Sequence, residues 1–279
     1  MIASPRLARI AIYPIKSLDG MFVTQATILE SGALKCDRPP GSSKCDREFA
    51  LVDEKGNFVN GKRHAKVHLL RVQFDDELKS ISLQVQGSEQ KATFSLDNEK
   101  LELEAWFSDY FGFPVTLKQN TITGFPDDLN AKGATIISTA TIEEVATWYP
   151  GISVEEMRSR LRANLEIDGV PAFWEDCLFA QTGQCVRFKV GDVLFEGINP
   201  CQRCVVPTRD TKTGEATVNF QKIFINKRRE TLPSWTVPSR FNHFYRLSVN
   251  TNVPASEAGK VVRVGDAIAI IGVSESPLS

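Results

Sequence analysis

The chain of 279 residues has no apolar run approaching the roughly 20 residues that cross a bilayer. Its opening, Met1-Ile2-Ala3-Ser4-Pro5-Arg6, lacks a signal-peptide core. Both absences lead to the expectation of a cytoplasmic protein with no membrane attachment. Charge of one sign is also missing. Lys plus Arg number 33 and Asp plus Glu 34, a formal net charge of -1, so any cationic surface must be local. Aromatic and basic residues do not interleave, which speaks against nucleic acid as a partner. No Gly-x-Gly-x-x-Gly follows a strand, and neither a P-loop nor Gly-x-Ser-x-Gly is present. Nucleotide-fold and serine-hydrolase chemistry are thereby disfavoured. There is no haem-attachment Cys-x-x-Cys-His and no ferredoxin run of cysteines. Histidine is scarce, with 3 in the chain. His64 and His68 stand four apart, but no Glu follows the first, so the expectation is surface or barrel histidines. His243, inside Phe241-Asn242-His243-Phe244-Tyr245, is expected to pack. The 6 cysteines are too sparse in a chain this long for a disulfide scaffold and read as reduced thiols.

What is present is mostly short strands. Leu7 to Ile15, Phe22 to Leu29, Glu48 to Asp53, and runs near 67–74, 80–86 and 91–96 alternate or lie between turn residues. Leu101 to Phe111 has helical spacing and stops before Gly112 and Pro114. Thr121 to Lys132 is rich in Gly, Pro, Asp and Asn and marks a boundary, giving modules 1–120 and 121–279. Ser138-Thr139-Ala140-Thr141 offers an N-cap for a helix to about Trp148, and Ser153 starts a second. From Phe173 onward strands dominate. Val186 to Phe195 alternates around Gly191-Asp192. Val261 to Ile271 reads as a hairpin around Gly265-Asp266, like strands of one barrel. The fold class is mainly β with a few helices: a small N-terminal β-barrel module followed by a second β-barrel.

Asn199-Pro200-Cys201-Gln202-Arg203-Cys204 places two thiols and a guanidinium where a strand ends. A zinc half-site would need partners at finger spacing, and Cys177 and Cys185 do not supply them. A thioredoxin-type pair needs a following helix, which Val205-Val206-Pro207 opposes. Structural cysteines are a third reading. A fourth is a single thiolate ligand for a soft transition metal, with Arg203 beside it for an anionic group. Residues alone leave the four open. Lys16, Ser17, Arg47, Arg63, Ser138, Thr139, Thr141, Arg162 and Asn164 flank strands or turns, and with Arg203 they could form a pocket for a phosphorylated ligand. The triplet Cys-Asp-Arg occurs twice, at Cys36 and Cys45, around a Pro/Gly/Ser stretch read as a surface loop. Lys227-Arg228-Arg229 reads as a solvated basic loop and a candidate dock for an acidic carrier.

In their order along the chain these pieces resemble the MOSC domain family. Tyr13-Pro14-Ile15-Lys16-Ser17 resembles the opening of its N-terminal β-barrel module, and Asp46-Arg47 through Val52 with Arg63 its next elements. Arg162-Ala163-Asn164, Phe173-Trp174-Glu175-Asp176 and Cys201-Gln202-Arg203-Cys204 with Thr213-Gly214 resemble the signatures of the MOSC half. The layout is most similar to the amidoxime-reducing components. The resemblance implies a molybdenum pyranopterin cofactor and reduction of N-hydroxylated or N-oxidised small molecules. It implies that Cys204 is the catalytic thiolate and metal ligand. Lys16, Ser17, Arg47, Thr141, Arg162, Asn164, Gln202 and Arg203 would hold the cofactor. The family's association with pyridoxal phosphate binding comes with the resemblance, although the sulfurase's pyridoxal-phosphate domain has no room here. Ala163 stands where the family has Pro, Gln202 where it has a small residue, and the Cys36–Cys45 stretch looks inserted, so Arg38 competes with Arg47 for the Asp-Arg role. Electrons are expected from a separate protein, a ferredoxin or a small haem protein with its reductase. A sulfur or cofactor carrier acting through Cys204 is the alternative.

Overall fold

A computed structural model describes residues 4–36 and 44–276. The chain runs through β1 (Arg6–Ile12), β2 (Met21–Val23), β3 (Gln25–Ile28), β4 (Leu34–Cys36) and β5 (Phe49–Asp53). Then come β6 (Leu70–Phe74), β7 (Ser80–Val85), β8 (Lys91–Ser95), helix α1 (Lys100–Phe111) and β9 (Val115–Gln119). The second half holds β10 (Ile136–Ser138), α2 (Thr139–Thr147), α3 (Val154–Leu161) and β11 (Leu165–Asp168). It ends with β12 (Gln184–Val190), β13 (Val193–Gln202), α4 (Phe220–Glu230), β14 (Arg246–Asn252), β15 (Val261–Arg263) and β16 (Ile268–Glu275).

The expected mainly-β character holds, but the sheets are not closed barrels. The largest is an 8-stranded sheet in the order β16-β12-β13-β14-β10-β11-β1-β2. It curls until the chain before β1 meets the turn before β16, where the Leu7 N–H donates to Asp266 O at 2.8 Å and the Ile268 N–H to Pro5 O at 2.9 Å. Isolated bonds, rather than a ladder, join its two ends. β1 and β2 come from the N-terminal segment and pair with the second half through β11. The run Val261 to Ile271 is not a hairpin: β15 pairs with β3, while β16 pairs with β12. The stretch 67–74 is not strand throughout, because Ala65–Leu69 forms a 3₁₀ turn ahead of β6.

Alternation explains the centre of the large sheet. Val186, Phe188, Val190, Val193 and Phe195 are buried, and the rings of Phe188 and Phe195 stack at 5.6 Å. Val190 faces Val193 across a two-residue turn whose Gly191 has φ 58°. Three apolar cores result. One fills the curled sheet. A second joins β5, β6, β7, β9 and α1 around Phe49, Leu83, Phe107 and Leu117. A third packs α2, α3 and α4 around Val145, Met157 and Phe224. Lys227-Arg228-Arg229 lies in the last turn of α4, not in a loop. Arg228 is fully buried between the rings of Phe173 and Phe241 and pairs with Asp176. A buried ion pair of this kind is costly to break from one side.

Gly197 in β13 lets the strand press against a short 3₁₀ turn, Trp174–Leu178. A Cβ on residue 197 would stand 1.6 Å from Leu178 O, a backbone atom that cannot swing away. Gly197→Ala is expected to cost on the order of 3 kcal/mol. Chemical denaturation of the variant checks this, and a loss below about 0.5 kcal/mol would contradict the packing described.

Candidate functional site

A cavity of about 1280 Å³ opens between the core of β5–β9 and the end of β13. Its lining holds ten Lys or Arg and four Asp or Glu, in a chain whose net charge is -1. Small-molecule pockets commonly occupy about 300–1,000 Å³, so there is room for more than one bound group.

Three cationic or polar residues enter it from left-handed backbone. Ser17 has φ 73°, Arg47 φ 53° and Arg162 φ 54°. Such conformations cost about 1–3 kcal/mol for residues with a Cβ, and they cluster at functional sites. Arg162 occupies the C-cap of α3, where Gly is the usual solution. From there its guanidinium donates to Leu18 O at 2.6 Å and lies 4.1 Å from the centre of the Tyr13 ring. Lys16, 7 % exposed, donates to Phe125 O at 2.8 Å and Pro126 O at 3.3 Å and pairs with Asp127 at 2.8 Å. Burial pushes the Lys16 ammonium below its ordinary value, against the pull of Asp127. Arg47 bonds Asp46 at 3.0 Å and approaches Asp127 at 3.9 Å. Burial pushes Asp127 up, but Arg47 and Lys16 outweigh it and hold the carboxyl well below the usual range.

The Cys-x-x-Cys segment forms the opposite wall. β13 ends at Gln202, and the Arg203 N–H then bonds Tyr245 O at 3.0 Å. The Arg203 guanidinium donates to Leu161 O at 2.6 Å and Ser248 Oγ at 3.4 Å, and it meets Cys201 Sγ at 3.6 Å. Its Nε is buried with no partner among the described residues. Cys204 is half-buried, and its Sγ accepts the Val206 N–H at 3.5 Å. The turn after it, Val206–Thr208, is 3₁₀, which leaves no α-helix start of the thioredoxin kind behind the thiols.

Of the expected residues, Lys16, Ser17, Arg47, Arg162, Gln202, Arg203 and Cys204 line this one cavity. Thr141 and Asn164 do not. Thr141 Oγ1 accepts from Ser138 and from the Phe173 N–H and donates to Glu175 at 3.0 Å, all fully buried. Asn164, 1 % exposed, bonds the Thr135 N–H at 3.2 Å and Ala11 O at 3.1 Å, and so ties β10 to β1. The polar side-chain atoms of Thr141 and Asn164 are thus engaged within the fold, outside the lining of this cavity. Ser138 caps α2, Thr139 bonds Glu166, and Arg63 lies outside the lining. Arg38, the rival to Arg47, lies outside the described residues. His68 reaches the cavity with its ring on Gly61 O at 3.1 Å, while His64 packs beside Phe113. Sequence reasoning missed Tyr13 as a platform, Asp127 as the counter-charge, and Arg71, Arg240 and Arg246. For Asp127 the available signal was acidic residues beside Pro126 in what reads as a linker.

A protein in which two β-rich parts enclose a cationic cleft with one thiol at its wall is the class that fold and site define. The chain matches the MOSC N-terminal beta barrel domain over residues 4–110 and the MOSC domain over residues 129–269. It belongs to the MOSC domain family. Molybdenum cofactor sulfurase of Drosophila mojavensis is 26% identical over 247 residues, covering 76% of this chain and 29% of that protein. Mitochondrial amidoxime-reducing component 1 of Mus musculus is 22% identical over 310 residues, 95% of this chain and 82% of that one. Mitochondrial amidoxime reducing component 2 of Macaca fascicularis is 22% identical over 249 residues, 75% of this chain and 68% of that one. The chain spans just under a third of the length of the sulfurases it matches.

The buried Glu175 carboxyl, bonded to Thr141, is pushed up from its ordinary 4.5 to about 7, first by burial and then by Asp176. Its second oxygen has no partner among the described residues. A raised acid binds its proton more tightly in the folded state, so stability is full below pH 4.5, falls through the window up to about 7, and is flat above. Glu175→Gln should therefore lose less melting temperature than the wild type between pH 5 and pH 8. Parallel curves for the two proteins over that range would refute the assignment.

Proposed function

We propose that the chain is a molybdenum-cofactor-binding oxidoreductase that reduces N-hydroxylated or N-oxidised compounds. The observation carrying this is Cys204 set in the wall of a cavity in which Arg162 and Arg203 donate to backbone carbonyls rather than to carboxylates, while Arg47, Arg71, Arg158 and Arg160 are ion-paired. The fit to a phosphorylated pyranopterin is good on two counts. Arg203 keeps a buried Nε without a partner, and Arg162 and Arg203 donate to backbone carbonyls, with no carboxylate of the described residues within 4 Å. A soft thiolate is also the donor a molybdenum-type centre would take. Among the described residues no three His, Cys, Asp or Glu side chains gather as a metal site, so Cys204 would be the single protein ligand.

Lys16, Ser17, Arg47, Arg162 and Arg203 would hold the phosphate and pterin by charge-assisted bonds. When bound, the cofactor supplies the two-electron centre that N–O bond reduction requires. The substrate takes two electrons and two protons and leaves as the amine or amidine plus water. The chain's own residues orient the substrate and fix the cofactor. Tyr13 and Phe58 shield Arg162 and Lys16 from solvent on the module side, at 4.1 and 5.2 Å. Near coextension with an amidoxime-reducing component, 95% of this chain on 82% of that protein, supports this reading. Among the described residues no helix is long and apolar enough to cross a membrane.

In the test, the protein is made in a host that synthesises the cofactor and is analysed for molybdenum and pterin. Cys204→Ser should abolish turnover and lose metal, whereas Cys201→Ser is milder. A hard hydroxyl replaces a soft thiolate poorly. Equal metal content and turnover in Cys204→Ser and wild type would sink the assignment.

Electrons are proposed to come from a separate protein, a ferredoxin or a small haem protein with its reductase. Lys227 and Arg229 remain on the outer side of α4, with Arg229 against Phe244 at 5.0 Å, and only these two of the basic run could meet an acidic carrier. NADH alone should give no turnover, and an added carrier should restore it at a rate that falls with salt. Sustained NADH-driven turnover by the isolated chain would contradict a separate donor.

A second reading is supported by the 26% match to a sulfurase: a sulfur or cofactor carrier using Cys204. Turnover with a chemical electron donor separates the two, since a carrier gives none.

A further inference from the structure

Resting on that functional reading, we propose that the cavity has a second anion-binding arm, Arg240 with Arg246, which selects substrates carrying a carboxylate or phosphate group. Apart from Arg203, which follows β13, the arm attaches to different elements from the cofactor grip. Lys16 and Arg47 meet at Asp127, and Arg162 reaches Leu18. Arg240 and Arg246 instead lean on β13. Arg240 donates to Ala180 O at 2.6 Å and Ile198 O at 3.0 Å. Arg246 donates to Pro200 O at 3.0 Å and to Asn242 Oδ1 at 3.0 Å. The two guanidinium groups are anchored to carbonyls of one strand, Ile198 and Pro200, and are near enough for the charge of Arg246 to act on Arg240.

Nothing nearby neutralises them. No carboxylate of the described residues lies within 4 Å of either guanidinium, since every bond above goes to a carbonyl or an amide. The acid in this part of the lining, Asp128, is held by the Asn130 N–H at 2.9 Å and by Asn250 at 3.3 Å. Cys201 Sγ is engaged by the Arg203 guanidinium at 3.6 Å. Burial and the Arg246 charge push the Arg240 guanidinium below its ordinary value. Two half-buried like charges with only neutral partners are unfavourable until an anion arrives. Both residues line the same cavity as Cys201 and Cys204, and its volume of about 1280 Å³ exceeds what one ligand commonly fills. An anionic tail seated on this arm would lie in the same cavity as Cys204, with the reducible N–O end free to reach it.

The test compares three probes on the holoprotein by isothermal titration calorimetry: benzamidoxime, its 4-carboxylate and its 4-phosphonate. Binding is read without turnover. The charged probes are expected to bind at least about tenfold tighter than the neutral one. The better of the two identifies the anion. Arg240→Gln and Arg246→Gln should each reduce that preference to below about threefold while leaving the neutral probe's affinity unchanged. Where a Gln variant fails thermal-unfolding controls, Arg240→Lys or Arg246→Lys decides. Lysine keeps the charge but loses the planar fork, so the preference should weaken severalfold. Equal binding of all three probes, or a preference that survives the substitutions, overturns the proposal. An intact preference with no reduction of any probe would fell the reductase reading and leave the arm standing. Reduction of all three without preference would do the reverse.

Discussion

The structure turns on holding many cations together without cancelling them. Guanidinium and ammonium groups in a half-buried cleft repel one another, and a carboxylate beside each would be the ordinary remedy. Here backbone carbonyls do most of that work. Leu18, Leu161, Ala180, Ile198 and Pro200 each present an oxygen to an arginine, and Phe125 and Pro126 present theirs to Lys16. A carbonyl satisfies an N–H and fixes its direction, yet leaves the net charge intact. The cleft thus remains cationic although the whole chain is slightly acidic. Carboxylates do the work for Arg71, Arg158 and Arg160, which pair with Asp19, Glu166 and Glu156, and Asp127 serves several cations at once. It sits at the Lys16 end, where three cations, Lys16, Arg47 and Lys62, converge on one half-exposed carboxylate.

That arrangement explains the irregular backbone. Several of these side chains enter the cleft where strands and helices end. Ser17 follows β1, Arg47 precedes β5 and Arg162 follows α3, and all three carry the left-handed twist that turns a chain back on itself. Glycine would adopt it at lower cost but could not deliver a side chain. The strain is tolerated because the surroundings are rigid. The Arg162 end is bracketed by the buried face of α3 and by Asn164, which joins β10 to β1. Pairing β1 with β11 has the same consequence at larger scale. It holds Tyr13 and Lys16, which follow β1 in the N-terminal segment, in the same cavity as Cys201 on β13 and Cys204 just beyond its end.

Much of this was legible in the sequence, and the limits have physical causes. Alternation in Val186 to Phe195 specifies a hairpin because each inward residue is apolar and the turn offers Gly-Asp. Val261 to Ile271 carries the same signal, yet its halves pair with β3 and β12, since alternation marks a strand and not its neighbour. Thr141 and Asn164 illustrate a second limit. A polar residue beside a strand end looks the same whether it faces a ligand or stitches two strands, and only the partner's position decides. Arg240 and Arg246 mark a third. They sit in a segment whose aromatic residues draw attention to packing, and their relation to β13 exists only once β14 pairs with it. Arg228 fails in the opposite direction. As part of a basic triplet it suggests a solvated face, but its position in α4 puts it between two aromatic rings with Asp176 beneath.

The separation of the two arginine groups bears on why one scaffold can host different chemistries among its relatives. On the proposed reading, a grip made from Lys16, Arg47, Arg162 and Arg203 would recognise an anionic cofactor by charge and fork geometry, whatever Cys204 then does. On either proposed reading the Cys204 thiol would act from this one cavity. The readings differ in what must reach that thiol from the open side: a small oxidised nitrogen compound in one case, a client protein in the other. A cationic arm recessed beside Cys201 suits a compact anion-bearing molecule. It is a poor surface for a protein partner, because it would oblige that partner to bury an exposed carboxylate deep in a cleft. The charge pattern on the far wall of the cavity therefore favours the small-molecule reading over transfer to a client.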